Sequence, residues 1–312
     1  MDQTPGSSAS PITIARADFG RVSVLFGAMS GKYPDGNQVL IRGSDTRAAF
    51  DTPLVSNHIG AEFEATELVV MGHVHEDHMA GLHRIPRAAV HVHEADLPAI
   101  RSWDGMIGAY GMLGAGVKGE AALLAMLQRD FFYAPRPDAQ GYVDGACWDL
   151  GQSRIRAFHL PGHTAGHCVL LVEPEGVAFT GDIDLTGFGP YYGDGSSSLR
   201  DFRRSIARLA DIPAKVWVTS HHRGVYTDRE HFLRDLQAFG AKIDEREQRL
   251  LAWLRESPKT LEQLVEQRLL YPLGYEGPWV VSAETRTISQ HLAELLADRR
   301  VVVDEEGVYR LG

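Results

Sequence analysis

Cysteine is nearly absent from this 312-residue chain: there are two, Cys147 and Cys168, and they do not form a C-x-x-C pair. So few thiols exclude a disulfide framework and fit a reducing compartment. Long hydrophobic runs are also missing, since no stretch approaches the ~18 apolar residues that a membrane span requires. Positive charge is scarce: 31 Lys and Arg stand against 41 Asp and Glu, for a formal net charge of −10. That balance disfavours a surface built to neutralise phosphates, so nucleic acid is not an expected partner. The N-terminus has neither a basic region nor an apolar stretch of the secretory type, and a cytoplasmic location is expected. Its Pro/Gly/Ser-rich start, residues 1–15, reads as a disordered lead-in.

What is present is the composition of an ordinary globular enzyme, 44% hydrophobic and 23% charged, long enough for one large domain and one small one. Short apolar runs such as "RVSVLFGAM", "QVLIRG", "ELVVM", "RIRAFHL", "CVLLVEP", "GVAFTGD" and "AKVWVTS" read as strands. "SLRDFRRSIARLAD" has helical periodicity, and "HMAGLHRI" reads as the start of another helix. This alternation predicts an α/β layered domain over residues 16–230. Within it, 96–140 is rich in Gly, Met and aromatic residues and reads as an insertion over the site, with plain helical packing as the alternative. Residues 231–312 turn to charged helices followed by "VVVDEEGVYRLG", a hairpin pattern around an Asp-Glu-Glu-Gly turn. Three helices and a hairpin are the layout of a winged helix.

The chemistry concentrates in "VVMGHVHEDHMAGL", residues 69–82. On an extended segment, residues i and i+2 point the same way, so His73 and His75 can reach one point. Asp77 and His78 are adjacent and diverge, and so can address a second point nearby; the pattern implies two metals. A lone histidine is more often a satisfied polar residue than a ligand. Four ligand-type side chains after a buried strand reverse that balance, because isolated buried imidazoles and carboxylates are costly unless paired or coordinated. Further ligands should come from other strand ends: His163 in "LPGHTAGH", Asp182 in "FTGDIDL", and His221 or His222 in "VTSHHRG".

In this order, H-x-H-x-D-H, G-H-T-x-G-H, T-G-D and S-H resemble the motifs of the metallo-β-lactamase-fold hydrolases, including glyoxalase II-like thioesterases and lactonases. The resemblance covers roughly residues 20–225. It implies a four-layer αβ/βα sandwich with the site at one edge of two facing sheets, here followed by a small C-terminal winged-helix-like domain. Carried over by position, His73, His75 and His163 would hold one metal, and Asp77, His78 and His221 a second, with Asp182 bridging. His221 is chosen over His222 because it directly follows Ser220. "AFDTP" resembles the family's first motif and makes Asp51 a structural carboxylate near the site. Pro53 replaces the usual Gly there, and Gly72 the usual Thr or Ser before the first ligand. His167 has no ligand role in the pattern and reads as a residue behind the ligands or a packing residue.

The expected activity is hydrolysis of an ester, thioester or lactone. Two divalent cations, zinc first with iron or manganese as alternatives, would hold a hydroxide that attacks the carbonyl. Asp77 or Asp182 would pass a proton to the leaving group. The competing readings are a phosphodiesterase or nuclease, and an iron-dependent oxygenase or oxidoreductase, of the same fold. The substrate is expected to be a small molecule with an apolar part. Met106 and Phe132 from the insertion and Tyr191 or Tyr192 from "GFGPYYGDGSSS" are the candidate contacts. Acidic residues outnumber basic ones over 241–312, which points to packing or homodimerisation for that unit and away from DNA.

Overall fold

The computed structural model describes residues 14–112 and 117–312, with the side chains of 117 and 118 outside the description. The expected lead-in at 1–15 therefore lies almost wholly outside the described residues. Two large sheets form the body. The first has seven strands in chain order: β1 (Arg16–Phe19), β2 (Val22–Leu25), β3 (Gln38–Arg42), β4 (Arg47–Phe50), β5 (Leu68–Val70), β6 (Ala89–His93) and β7 (Gln140–Tyr142). Its first four strands are antiparallel, and β4 through β7 run parallel. The second comprises β8 (Cys147–Asp149), β9 (Arg154–His159), β10 (Cys168–Glu173), β11 (Val177–Phe179), β12 (Val216–Val218) and β13 (Val225–Tyr226), in the order β13-β12-β11-β10-β9-β8.

The period-2 alternation of these strands sorts their side chains into layers. Val22, Val24, Val39, Ile41, Phe50 and Val70 face Ile155, Leu170, Val172, Phe179 and Val218 between the sheets. Phe50 and Phe179 stack there at 5.8 Å. The intervening residues turn the other way. Leu40, Val69, Val90 and Val92 pack under the helices on the outer face of the first sheet. Val169, Leu171, Ala178 and Trp217 do the same on the second. The result is helix, sheet, sheet, helix, with both sheets buried on two faces, which is why their strands read as continuous apolar runs.

Helices α1 (Ala28–Gly31) and α2 (Ala61–Glu64) are single turns in the loops of the first sheet. Helices α3 (Leu97–Arg101), α4 (Trp103–Ala109) and α5 (Val117–Phe131) make up most of the 96–140 segment. Helix α6 (Leu199–Leu209), capped by the Ser198 hydroxyl, covers the second sheet. The helix expected at "HMAGLHRI" does not form beyond a 3-10 turn, Leu82–Arg84. There the backbone is paired across the fold instead: Thr52 N–H donates to His78 O, and Gly81 N–H to Thr52 O, both at 2.7 Å.

Helix α7 (Arg229–Glu256) is capped by Asp228 and runs for 28 residues. Its first half buries Phe232, Leu236, Phe239 and Ile243 against the second sheet's outer layer. Its second half buries Leu250, Leu251 and Leu254 in a separate core with α8 (Leu261–Glu266) and α9 (Val280–Ala297). Strands β14 (Lys259–Thr260), β15 (Val301–Val303) and β16 (Val308–Leu311) complete this part as a three-stranded sheet, with the expected hairpin between β15 and β16. The two cores share one helix, so residue 230 falls inside α7. Among the described residues no helix is long and apolar enough to cross a membrane.

Candidate metal centre

The seven residues that the resemblance implies as ligands meet at one edge of the two sheets. β5 delivers His73 through His78, the turn after β9 delivers His163, the end of β11 delivers Asp182, and the end of β12 delivers His221. Local backbone chemistry explains the turns. Gly162 sits at φ 136°, and a Cβ there would stand 2.4 Å from the backbone of Phe202. Only glycine lets the chain pass so close to α6 and turn His163 inward. Gly72 O accepts from Cys168 N–H at 2.7 Å, pinning the ligand loop of the first sheet to the second.

Two sets of donor atoms result. His73, His75, His163 and Asp182 form one, and Asp77, His78 and His221 the other, with the atoms of each set within 4.8 Å of one another. Between them, His78 Nε2 lies 3.0 Å from Asp182 Oδ1, and His221 Nε2 lies 3.4 Å from the same oxygen. His163 Nε2 is 3.3 Å from Asp182 Oδ2. Asp182 thus stands between the sets.

Most imidazoles are held from behind. His75 Nε2–H donates to Asp194 Oδ2 at 2.8 Å, and His78 Nδ1–H to Asp51 Oδ2 at 2.7 Å. His163 Nδ1–H donates to Tyr191 O at 3.0 Å, and His221 Nδ1–H to Gly31 O and Asp35 O at 2.9 Å each. These bonds fix the tautomer of each ring's neutral form, the form that ligates a cation, so that its inner nitrogen carries the lone pair. His73 is the exception, with Nδ1 buried and unpartnered. The inner nitrogens of His75 and His163 face each other at 3.0 Å, while His78 Nε2 and Asp182 Oδ1 are buried without a hydrogen bond. Lone pairs converging on lone pairs in a buried site are what a divalent cation relieves, and nitrogen with carboxylate oxygen is a donor set suited to zinc, iron or manganese.

The charges follow from the geometry. Burial drives His73 well below the usual histidine range, helped by the neighbouring imidazoles. Burial also disfavours the His75 cation, but the Asp194 carboxylate outweighs it and lifts the group to about 9. His221 is lifted to about 10 by Asp182 and Asp77, again against burial. Asp182 is held well below the carboxylate range by His78, His221, His73 and His163 despite its burial.

The doubled histidine divides cleanly. His221 is buried with Nε2 3.2 Å from Asp77 Oδ2, whereas His222 adopts φ 54° and is exposed at the cavity edge. His167 stands behind the site: its Nδ1–H donates to Leu160 O, and its Nε2 accepts the Asp182 N–H at 3.2 Å. Asp51 also accepts the Gly72 N–H at 2.6 Å, as expected of a structural carboxylate.

A cavity of about 330 Å³ opens over the cluster. Of the expected substrate contacts, only Tyr191 lines it, and its hydroxyl donates to Asp194 Oδ1 at 3.0 Å. Tyr192 is a correction: it is fully buried and its hydroxyl donates to His291 Nε2, so it packs under α9 and away from the cavity. Met106 is likewise fully buried, beneath α4 in the outer core of the first sheet. Phe132 lies outside, stacked on His83 at 4.6 Å. The 96–140 segment both packs and covers: Ile100, Met106 and Phe131 are core, while Tyr110, Met112, Leu123 and Leu127 line the cavity.

Other residues escaped the motif reading. Asp194, in a Gly-Asp-Gly context, orients His75. Asp96 accepts from Val74 N–H, Thr164 Oγ1–H and Gly166 N–H, tying together two ligand loops. Glu76 lies among the ligands yet bonds to Tyr33 and Tyr110. Tyr271, Tyr275 and Trp279 reach the cavity from between α8 and α9. The only local signal for them is the aromatic run "YPLGYEGPW".

The sequence compares with known proteins as follows. The sequence pattern of the metallo-beta-lactamase superfamily matches residues 68–221. The hydroxyacylglutathione hydrolase of Methylococcus capsulatus is 30% identical over 128 residues, 40% of this chain and 48% of that protein. The human acyl-coenzyme A thioesterase MBLAC2 is 28% identical over 203 residues, 58% of this chain and 70% of that one. The match thus spans about half the length of the first relative. Among solved structures, a metallo-beta-lactamase family protein from Thermus thermophilus superposes with a TM-score of 0.65 at 25% identity, covering 89% of this chain and 94% of that one. A beta-lactamase domain protein from Burkholderia ambifaria gives 0.66 at 16% identity, covering 99% and 96%, and so shares the fold. With motifs, donor sets and two-sheet architecture in agreement, residues 68–221 of this chain form a metallo-beta-lactamase superfamily domain.

Proposed function

We propose that this protein is a dinuclear metal-dependent hydrolase of ester, thioester or lactone bonds. The observation that carries the reading is the convergence of five imidazoles, four of them held from behind, and two carboxylates at one cavity, which His75, His163, His221, Asp77 and Asp182 line. His73, His75 and His163 would hold one divalent cation and Asp77, His78 and His221 the other, with Asp182 between them; zinc is the first candidate. Bound there, the cations would supply Lewis acidity, lowering the pKa of a coordinated water and polarising the substrate carbonyl.

The chain's own residues do the rest. Asp51, Asp194 and the carbonyls of Gly31, Asp35 and Tyr191 fix the imidazole planes, so little reorganisation accompanies reaction. In hydrolysis, water oxygen bonds to the acyl carbon, the C–S or C–O bond breaks, and the leaving atom takes a proton. Asp77 and Asp182 both line the cavity, and either carboxylate could carry that proton. The relatives named for hydroxyacylglutathione and acyl-coenzyme A hydrolysis support carbonyl chemistry at this site. We take residues 16–230 as the catalytic unit and 231–312, with its helices and terminal hairpin, as an appended winged-helix-like unit.

The test is proton release by metal-replete protein across esters, thioesters and lactones, before and after chelation, with metal counted per chain. Turnover that chelator abolishes and metal restores is the expected result. Turnover of phosphodiesters alone, or one iron per chain with redox activity, would overturn it.

A further inference from the structure

We infer that the cavity selects a neutral acyl ester, thioester or lactone with an apolar acyl group, and discriminates against anionic thiol carriers such as glutathione and coenzyme A. This rests on the hydrolase reading and narrows its substrate class.

The first observation is charge. Among the described residues lining the cavity there is no lysine or arginine, whereas Glu76, Asp77, Asp182, Asp184 and Asp194 all line it. Asp77 and Asp182 belong to the donor sets and would offset two of the four charges of two divalent cations; the other three carboxylates outnumber the two charges left. A substrate bearing carboxylates or phosphates would meet these carboxylates with no guanidinium or ammonium to answer it, and like charge in a desolvated cleft is a strong element against binding. Lys32 and Arg223 stand outside the lining, near His222 at the cavity edge, and two arginines behind the walls are committed elsewhere. Arg246 donates to the carbonyls of Pro190 and Phe188, and Arg286 to that of Gly111.

These three carboxylates keep their charge, but their hydrogen-bonding capacity is engaged within the protein, so a ligand cation would have to displace a partner to pair with them directly. Glu76 accepts from Tyr33 and Tyr110, Asp184 from the N–H and hydroxyl of Thr186, and Asp194 from His75 and Tyr191. What is left to recognise a ligand is apolar surface.

That surface has two sides. Met112, Leu123, Met126 and Leu127 come from the segment before and along α5; Phe188, Tyr271, Tyr275 and Trp279 face them. The last three come from the C-terminal unit, whose aromatic segment is held by one buried group: the Glu284 carboxylate accepts the N–H groups of Leu269, Leu270 and Tyr271 at 2.7–3.1 Å. The apolar lining continues to the mouth, where Tyr33, Phe188 and Tyr275 are 41%, 42% and 43% exposed. An acyl chain could run outward along them. The C-terminal unit therefore serves specificity at the active site.

The experiment compares three thioesters with one acyl group and one scissile bond: S-octanoyl-N-acetylcysteamine, S-octanoylglutathione and octanoyl-coenzyme A. Thiol release is followed with the full-length, metal-replete protein. The expected result is a kcat/KM for the neutral thioester at least about 10-fold above both anionic ones, a difference of roughly 1.4 kcal/mol. In a second arm, Tyr275→Arg places a cation at the exposed rim and should narrow that ratio while the circular dichroism spectrum is unchanged. A ratio near one or reversed in the wild type overturns the inference while leaving the hydrolase reading intact, and so does a ratio that Tyr275→Arg leaves unmoved. No chelator-sensitive turnover of any thioester, ester or lactone overturns the hydrolase reading, and the inference with it.

Discussion

The Asp194 carboxylate accepts the Nε2–H of His75 at 2.8 Å across a sequence separation of 119 residues. Asp194 does not face the cations' expected positions; it fixes which nitrogen of His75 does. Loss of such a partner commonly costs about 10–100-fold in metal affinity. On the two-cation reading proposed above, Asp194→Ala should weaken the cation held with His75 by about that factor and leave the other in place, as read by chelator competition with metal counted per chain. Equal affinity at both sites in wild type and variant would remove Asp194 from this role.

Asp51 carries a double task, accepting from His78 Nδ1 at 2.7 Å and from Gly72 N–H at 2.6 Å while almost completely buried. Asp51→Ala strands both donors. Breaking one partner of a buried charged pair costs about 3–5 kcal/mol. The variant should unfold at markedly lower urea concentration than wild type, even in chelator, because part of the loss does not depend on metal.

Gly162→Ala tests the turn that presents His163. A Cβ at φ 136° would lie 2.4 Å from Phe202 backbone atoms, which belong to a helix and cannot move alone. Destabilisation of at least about 2 kcal/mol is expected from strain and overpacking together, together with weaker metal retention. Gly60→Ala also places a Cβ at positive φ, 77°, but with open space around it. It serves as the control for backbone strain alone and should cost less.

Glu284 holds the aromatic wall from behind, through the Tyr271 N–H, and does not itself line the cavity. Glu284→Gln keeps the shape but replaces one carboxylate oxygen with an NH2 that cannot accept. We expect a several-fold rise in KM for octanoyl substrates, with kcat little changed and acetyl substrates less affected. A uniform fall in kcat for all acyl lengths would point to a general loss of structure instead.

His291 gives a pH signature to the junction of the two cores. Burial, reinforced by Arg203 and Arg246, lowers it from the usual 6.5 to about 3, and its Nε2 accepts the Tyr192 hydroxyl. The folded state therefore stays unprotonated where the unfolded state binds a proton. Its contribution is fully present above pH 6.5 and is lost as pH falls toward 3. In urea melts between about pH 6.5 and pH 4, wild type should lose up to about 1.4 kcal/mol per pH unit more than His291→Gln. Parallel slopes would show that the group is not buried neutral.

The fold and the candidate donor set were legible in the sequence because both rest on local patterns. Doubly buried strands must be apolar throughout, so "CVLLVE" and "VVM" announce themselves, and ligands at strand ends follow within a residue or two. The residues that only the tertiary structure brought to the site are those that act across the chain. Asp194 reaches His75, Asp96 joins Val74 to Thr164, and Glu284 anchors the segment carrying Tyr271. None of these pairings has a spacing rule, because each depends on how the sheets and α7 pack. Nor could composition separate Met106 and Tyr192, which fill cores, from Met112 and Tyr191, which line the cavity. Neighbouring residues of the same type share every sequence property, and only the side toward which the backbone turns them decides between packing and contact. The same holds at "HMAGLHRI", where helical pairing within the segment was replaced by bonds from the 78–81 backbone to Thr52. The sequence by itself determined which groups could bind metal; tertiary packing decided how those groups are oriented and what surrounds them.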